Sequence, residues 1–450
     1  MRRIIYCFIA AFTAISFSSL GQHENTLYSL GSVPQSVYNN PALAPNYNFS
    51  IGLPAISSTY FSFANTGFAY KDIKNKEGNS NWINLNDFYA GLKPKNHTKV
   101  MVATDIFSLG FKAGSRMHVT FNVTEKVQSR LMLPKGILWA IPGNAPEVAG
   151  NTVKMGPTYN AMHYREFGLG TSYTVNKKLT VGVRGKLLFG KANVHTKKSD
   201  LTLTTSSEGY QLTLAGSALV NTAGIDKYLN EDEDSSEEPD VMDYLLNKNN
   251  KGFAIDLGAS YKLMDRLTIS ASIVDLGSIK WKDDVKNYEM KDASYTFEGF
   301  NINESDDFEN ISDTIDAKFK FEETSNSYRT GLPTKVYIGG SYLLTKNFYG
   351  SLLFFGEIYQ KNFSPSISAA LTKDFGRILS LSLSYTAANR SASQIGTGVA
   401  LKLGAAQIYF ISDNIVGTAL MPQSAKNLNA RFGINLIFGR KLTEEKQTYK

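Results

Sequence analysis

GFAIDLGASYKL, residues 252–263, decides the fold. In an extended chain, Phe253, Ile255, Leu257, Ala259, Tyr261 and Leu263 fall on one face. Gly252, Ala254, Asp256, Gly258, Ser260 and Lys262 fall on the other. Side chains of a strand alternate with period two, so this is a strand with one apolar and one polar side. The pattern recurs up and down the chain. Leu267, Ile269, Ala271 and Ile273 oppose Thr268, Ser270 and Ser272, and Leu179, Val181, Val183, Leu187 and Phe189 oppose Thr180, Arg184 and Lys186. Leu379, Leu381, Leu383 and Tyr385 alternate with Ser380, Ser382 and Ser384. Alternation over about 10 residues, punctuated by turn residues, is expected of a strand that crosses a membrane with one face in lipid.

A soluble β-sandwich also alternates, and three features separate the two. The polar face is rich in Gly and Ser and also carries Arg184, Lys186, Asp256 and Arg431, which suits a wet or plugged lumen. Aromatic residues make up 12% of the chain, and many stand near strand ends, where interfacial girdles belong. Connections also sort by length. Short turns fall at 176–178, 264–265, 345–347, 373–376 and 404–405, with long connections between them at 281–332 and 414–427. About nine strands after Gly252 and five to seven before it predict an all-β, transmembrane antiparallel barrel of about 14 strands, within a range of 12–16. The last strand puts Ala430, Phe432, Ile434, Leu436 and Phe438 on one face and Arg431, Gly433 and Asn435 on the other.

The N-terminus agrees with export. Met1-Arg2-Arg3 precedes an apolar run over 4–17, and Ser19-Leu20-Gly21 offers a cleavage point before Gln22. That is the layout of a signal peptide, and the run is short of the roughly 20 residues a spanning helix needs. Cys7 is the only cysteine and lies inside this run, so the mature chain is expected to contain no disulfide, thiolate metal site or cysteine nucleophile. Losing Arg2 and Arg3 lowers the net charge from +7 to about +5, with 45 basic against 40 acidic side chains, too diffuse to predict nucleic-acid binding. The predicted layout is a signal peptide at 1–21, a periplasmic or plug segment at 22–47 and the barrel at 48–439. Acidic outer loops are expected near 221–250 and 281–332, and a polar tail at 440–450.

Two stretches break the alternation. Residues 129–144 (SRLMLPKGILWAIPGN) predict a short helix interrupted by Pro134, placed inside the barrel or over one mouth. Residues 231–240 (EDEDSSEEPD) predict a solvated loop before a short helix near 241–246; the spacing of a calcium loop is absent.

Several phrases resemble a family of uncharacterised outer-membrane barrels from Bacteroidota. They are Asn40-Pro41-Ala42, the stretch YREFGLG at 164–170, GVRGK at 182–186, DLGASY at 256–261, DLGSIKW at 275–281 and NARFGINL at 429–436. More distantly, the Asn-Pro-Ala phrase and the strand-rich layout look like FadL-type fatty-acid transporters and PorV-like barrels of type IX secretion. The FadL-type resemblance implies that Asn40, Pro41 and Ala42 sit in or near an N-terminal hatch in the lumen.

No catalytic constellation accompanies this pattern. His23, His97, His118, His163 and His195 show no close metal-ligand spacing; His118 and His163 fall in predicted strands. No nucleophile elbow or phosphate-cradling motif occurs, so neither an enzyme nor a cofactor site is expected. Two roles remain for a protein of the cell outer membrane surrounded by outer-membrane lipid. One is binding or passive transport of a hydrophobic small molecule; the other is a non-catalytic platform for an exported protein or surface lipoprotein. An elongated apolar cavity reaching residues 40–44 would favour the first, and a lumen filled by mutually paired Arg184, Lys186, Asp256 and Arg431 the second.

Overall fold

In a computed structural model, residues 24–43, 47–69, 91–140, 150–207, 211–226, 241–297, 317–388 and 394–439 are described. The expected signal peptide at 1–21, the acidic run at 231–240 and the tail at 440–450 lie outside them. The chain forms a closed antiparallel barrel of 14 strands. In chain order these are β1 (Phe49–Gly52 continued by Thr59–Asn65), β2 (Lys95–Ala113), β3 (Met117–Pro134), β4 (Thr158–Thr174), β5 (Leu179–Thr205), β6 (Asn250–Met264) and β7 (Leu267–Trp281). They continue as β8 (Tyr328–Gly331 and Thr334–Thr345), β9 (Phe348–Tyr359), β10 (Asn362–Phe375), β11 (Leu379–Ala388), β12 (Gln394–Leu403), β13 (Ala406–Ser412) and β14 (Asn427–Phe438). Phe49 opposite Phe438 closes the ring between β1 and β14.

The alternation sets which side chains enter. On β6, Ala254 and Asp256 are buried, whereas Phe253, Leu257, Tyr261 and Leu263 are exposed on the outer wall. On β7, Ile269 and Ile273 face outward while Ser270 reaches inward to the Tyr28 hydroxyl at 2.9 Å. The outer wall is thus an exposed apolar band, edged near the short turns by Phe49, Phe111, Tyr173, Tyr342, Phe375 and Phe438. Short connections gather at this end, after β2, β4, β6, β8, β10 and β12; the other end carries the long ones. Gln360-Lys361 departs from that sorting: both residues take positive φ (47° and 66°), as a two-residue hairpin turn requires.

The 27-residue β5 changes partner partway along. Its first half pairs with β6 as far as Gly190–Asn250. From Asn193 onward it pairs with Leu212–Ala223, which pairs with Val285–Phe297, which in turn pairs with Glu322–Thr324. Thr152–Lys154 adds a short strand on the other side. This part of β5, from Asn193 to Thr205, is about 40 Å long at roughly 3.3 Å per residue, and beyond His195, where its pairing with β4 ends, it continues past the barrel wall.

Three expectations are corrected here. Residues 129–134 belong to β3 rather than to a helix, and only Lys135–Ala140 forms a 3-10 turn; 141–144 lie outside the described residues. Arg130 still points inward, so alternation persists beneath an apolar composition, and Pro134 ends the strand where its missing N–H is tolerated. The 281–332 connection contains Val285–Phe297 and Glu322–Thr324 as strands. Asn221–Ala223, placed in the loop at 221–250, end the strand Leu212–Ala223. The strand Val285–Phe297 carries polar residues on both faces, so no hydrophobic period marked it. The helix expected near 241–246 is present as Val241–Leu246.

Candidate functional site

The lumen is occupied by the chain's own N-terminal segment. It begins with a short helix, α1 (Asn25–Ser29), and a 3-10 turn at Pro34–Tyr38, followed by Asn40-Pro41-Ala42. Leu27, Leu30 and Val33 pack with Ala400, Tyr409 and Ile411 of β12 and β13. Polar bonds fix the rest. Thr26 donates its backbone N–H and its hydroxyl to Asp413 Oδ1 at 2.8 and 2.6 Å. Gln35 Nε2 donates to Asn435 Oδ1 at 3.0 Å, and Arg431 bonds Glu24 and Ser58 while lying over the Tyr60 ring.

Asn40, Pro41 and Ala42 are held against β5 and β6. Asn40 is fully buried; its Nδ2 donates to the Tyr28 hydroxyl at 3.0 Å and its Oδ1 accepts the Ala42 N–H at 2.9 Å. Gly182 and Gly258, directly opposite one another in register, make the space. A Cβ on Gly182 would lie 2.2 Å from the Pro41 carbonyl carbon, and one on Gly258 would lie 2.1 Å from Asn40 Oδ1. Only a residue without a side chain lets the segment approach so closely.

Beside this segment lies a buried charge network. Lys186 Nζ is 2.7 Å from Asp256 Oδ2 and 2.5 Å from Asp275 Oδ1. Arg184 is 2.9 Å from Glu166 Oε1 and 3.8 Å from Asp256 Oδ2, and its guanidinium stacks 4.5 Å over the Tyr38 ring. Lys126 Nζ reaches Glu166 Oε2 at 2.6 Å, and Lys335 Nζ reaches Asp275 Oδ2 at 2.8 Å. Tyr38 and Thr124 both donate to Asp105 at 2.7 Å. A second group joins Glu357 to Lys99 at 2.8 Å and to both ends of the Arg130 guanidinium at 2.9 and 3.1 Å.

Of the four lumen candidates, Arg184, Lys186 and Asp256 converge, and Arg431 stands apart, paired with Glu24. Glu166, Asp275, Asp105 and Lys126 were missed by the sequence reading. Glu166 shares the parity of Tyr164 and Gly168 within a stretch already read as strand, a sufficient signal. Asp275 gave none, because a bulge intervenes: the β6–β7 register shifts between Ile273 and Leu276, and Asp275 takes φ 61°.

Toward the long-loop end, Met162, Tyr164, Leu188, Ile279 and Trp281 form a buried apolar cluster. Trp281 lies where Gly190 leaves room and donates its indole N–H to Thr330 at 2.7 Å. At the short-turn end a cavity of about 200 Å³ remains. Ser260, Ser270, Ser341, Ser351, Ser368 and Thr372 contribute to its hydroxyl-rich wall. Among the described residues no group of three side chains is arranged to hold a metal ion.

Solved structures similar to this chain include the toluene transporter TbuX of Ralstonia pickettii, at 10% identity and TM-score 0.43, covering 95% of this chain and 100% of that one. A Pseudomonas aeruginosa FadL homologue aligns at 9% identity and TM-score 0.45, covering 94% and 100%. The Pseudomonas putida toluene transporter TodX aligns at 10% and 0.39, covering 89% and 91%. No curated protein matches the sequence. A family model matches residues 41–413, most of the chain, and the protein therefore belongs to the family of unknown function DUF5723.

Proposed function

We propose that this protein is an outer-membrane barrel closed by its own N-terminal segment, serving as a non-catalytic platform for an exported protein or surface lipoprotein. The membrane reading rests on the outer wall. A column such as Phe253, Ile255, Leu257, Ala259, Tyr261 and Leu263 spans about 25 Å once strand tilt is allowed for, the height of a barrel's apolar band. Such a band in water would be an unpartnered apolar surface encircling the molecule, far beyond what a soluble monomer leaves exposed.

The platform reading rests on one observation. The lumen is filled by bonded side chains, whereas the sheet built on β5 rises well clear of the rim. A passive route for a hydrophobic solute needs continuous apolar space, whereas the cavity at the short-turn end mixes hydroxyls with apolar groups and is bounded by Tyr28, Leu30 and Leu43 of the N-terminal segment. Moving the segment would break Arg431–Glu24 and Thr26–Asp413 in a water-poor interior, with no energy source in the chain. The free faces of the extension, by contrast, are available to a partner.

Native purification in mild detergent followed by mass spectrometry tests this. A stoichiometric exported protein or lipoprotein is expected to accompany the barrel. It should be lost when residues 199–218 are replaced by a tight turn at the Ser199–Ala218 register pair. A co-purified apolar small molecule, with no protein partner, would overturn the platform in favour of transport.

A further inference from the structure

Three cations stand side by side on the outer wall at the long-loop end. Lys251 on β6 is directly opposite Lys280 on β7, and Lys280 is directly opposite Arg329 on β8. All three are exposed and share the outward parity of the apolar band. Below Lys251 the outward column runs Phe253, Ile255, Leu257. Below Lys280 it runs Ser278, Leu276, Ile273, and below Arg329 it passes Gly331 to Val336 and Ile338. The row therefore marks the upper border of the band on three adjacent strands.

Directly opposed like charges on neighbouring strands destabilise a sheet, since their Cβ atoms lie only about 5 Å apart. Two such pairs in succession concentrate positive charge where a bilayer places its headgroups. Arg329 donates to Ser278 Oγ at 3.0 Å, which draws its guanidinium across to β7, one outward position below Lys280. Arginine and lysine together suit a phosphate, the first by bidentate donation and the second as a point charge.

We propose that Lys251, Lys280 and Arg329 form a binding site for the phosphate of a lipid headgroup in the leaflet at the long-loop end. The inference rests on the membrane reading above and is independent of the platform role. The lipid's acyl chains would lie along Phe253, Leu276 and Ile338, and its phosphate would relieve the repulsion across the row. Basic residues near an anionic membrane surface contribute about fivefold each to binding, so the three together are worth roughly 100-fold.

The test uses the full mature chain in zwitterionic detergent. Diphosphoryl lipid A, its dephosphorylated form and inorganic phosphate are titrated separately, with native mass spectrometry as the readout. The wild type should retain diphosphoryl lipid A. The triple variant Lys251→Gln, Lys280→Gln, Arg329→Gln should bind it about 100-fold more weakly, and the dephosphorylated lipid should bind the wild type weakly. Equal binding by the triple variant, or by the dephosphorylated lipid, overturns the site. Complete displacement of the lipid by millimolar inorganic phosphate would assign the row to free phosphate and overturn the lipid. If deleting residues 231–240 creates binding that the intact chain lacks, the row is an internal counter-charge and the proposal fails. Heat-shifted electrophoretic mobility reports folding; should the triple variant not fold, Lys280→Gln alone should lose about fivefold. Failure of the membrane reading looks different: the wild-type protein would fractionate away from membranes whatever its cations.

Discussion

Gly182→Ala is the sharpest probe of the closed lumen. The new methyl would lie 2.2 Å from the Pro41 carbonyl carbon and 2.4 Å from the Ala42 nitrogen, against about 3.4 Å for ordinary contact. Since the obstacle is backbone, no side-chain rotation relieves it, and the segment must retreat by about 1.2 Å. The hydrogen bond from Ser272 Oγ to the Asn39 carbonyl, 2.6 Å long, would stretch to about 3.8 Å and cease to be one. Overpacking typically costs about 1–3 kcal/mol and a lost hydrogen bond about 1, so the variant should be roughly 2–4 kcal/mol less stable. Gly340→Ala is the control: it lies in β8 of the same barrel, and its added Cβ meets nothing within 4 Å. Thermal unfolding in detergent should show a lower midpoint for Gly182→Ala alone. Protease should cut the 24–43 segment faster in that variant, and planar bilayers should show conductance that the control lacks. If Gly182→Ala matches Gly340→Ala in stability, protection and conductance, the close approach of Asn40-Pro41-Ala42 to β5 is wrong.

Further outcomes follow from the two faces of the wall and from the lumen charges. Ile269→Arg places a charge on the outward face and should cost about 2–4 kcal/mol if it lies near mid-membrane. Ser270→Arg points into the short-turn cavity, loses its bond to Tyr28 and should be tolerated better; equal heat stability of the two proteins would refute the face assignment. Lys186→Met leaves buried Asp256 with only Arg184 at 3.8 Å and takes from Asp275 one of its two cations, and should cost about 3–5 kcal/mol, read as a fall in unfolding midpoint that Lys186→Arg largely restores. Exchanging Lys291 and Glu322, an exposed pair at 2.7 Å on the extension, should leave the midpoint unchanged, because such pairs are screened by water.

The barrel was legible wherever one face of a strand is apolar and the other polar. Residues 179–189, 252–263, 267–273, 379–385 and 430–438 each declare both of their faces, and the face assigned to each residue follows from parity alone. The extension was illegible for the complementary reason. Lys286, Asn287, Glu289, Lys291 and Asp292 belong to a strand with polar residues on both of its faces, so nothing in their polarity distinguishes it from a loop. The Asn-Pro-Ala phrase could be noticed, but not the glycines that admit it. Gly182 and Gly258 meet only through the β5–β6 register, 76 positions apart. Arg431 and Glu24 are 407 positions apart, and no local pattern connects them. At Asp275 the bulge resets the phase, and the alternation reading ends two residues before it, at Ile273.

The two sets of lumen contacts divide the barrel between them, which bears on how it could open. Glu24, α1 and the residues after it bind β11, β13, the loop after it and β14 through Ser384, Tyr409, Asp413, Arg431 and Asn435, while Tyr28 of α1 crosses to Ser270 of β7. The charge network joins β2 to β8 through Asp105, Lys126, Glu166, Arg184, Asp256, Asp275 and Lys335. Tyr38 and Asn39 touch this second half, Tyr38 through Asp105 and the face of Arg184, Asn39 through Ser272. Asp105, Glu166, Asp256 and Asp275 balance Lys126, Arg184, Lys186 and Lys335, four carboxylates against four cations. Withdrawing the segment would therefore uncover a network that is already neutral within itself, and the cost of opening would lie in Tyr38, Asn39 and the bonds of α1. Those bonds reach strands on both sides of the lumen, so the segment acts as a cross-brace as well as a stopper. A brace of this kind stiffens the wall from which the β5 extension rises, which is what a platform needs and what a passive conduit would have to dismantle at each passage.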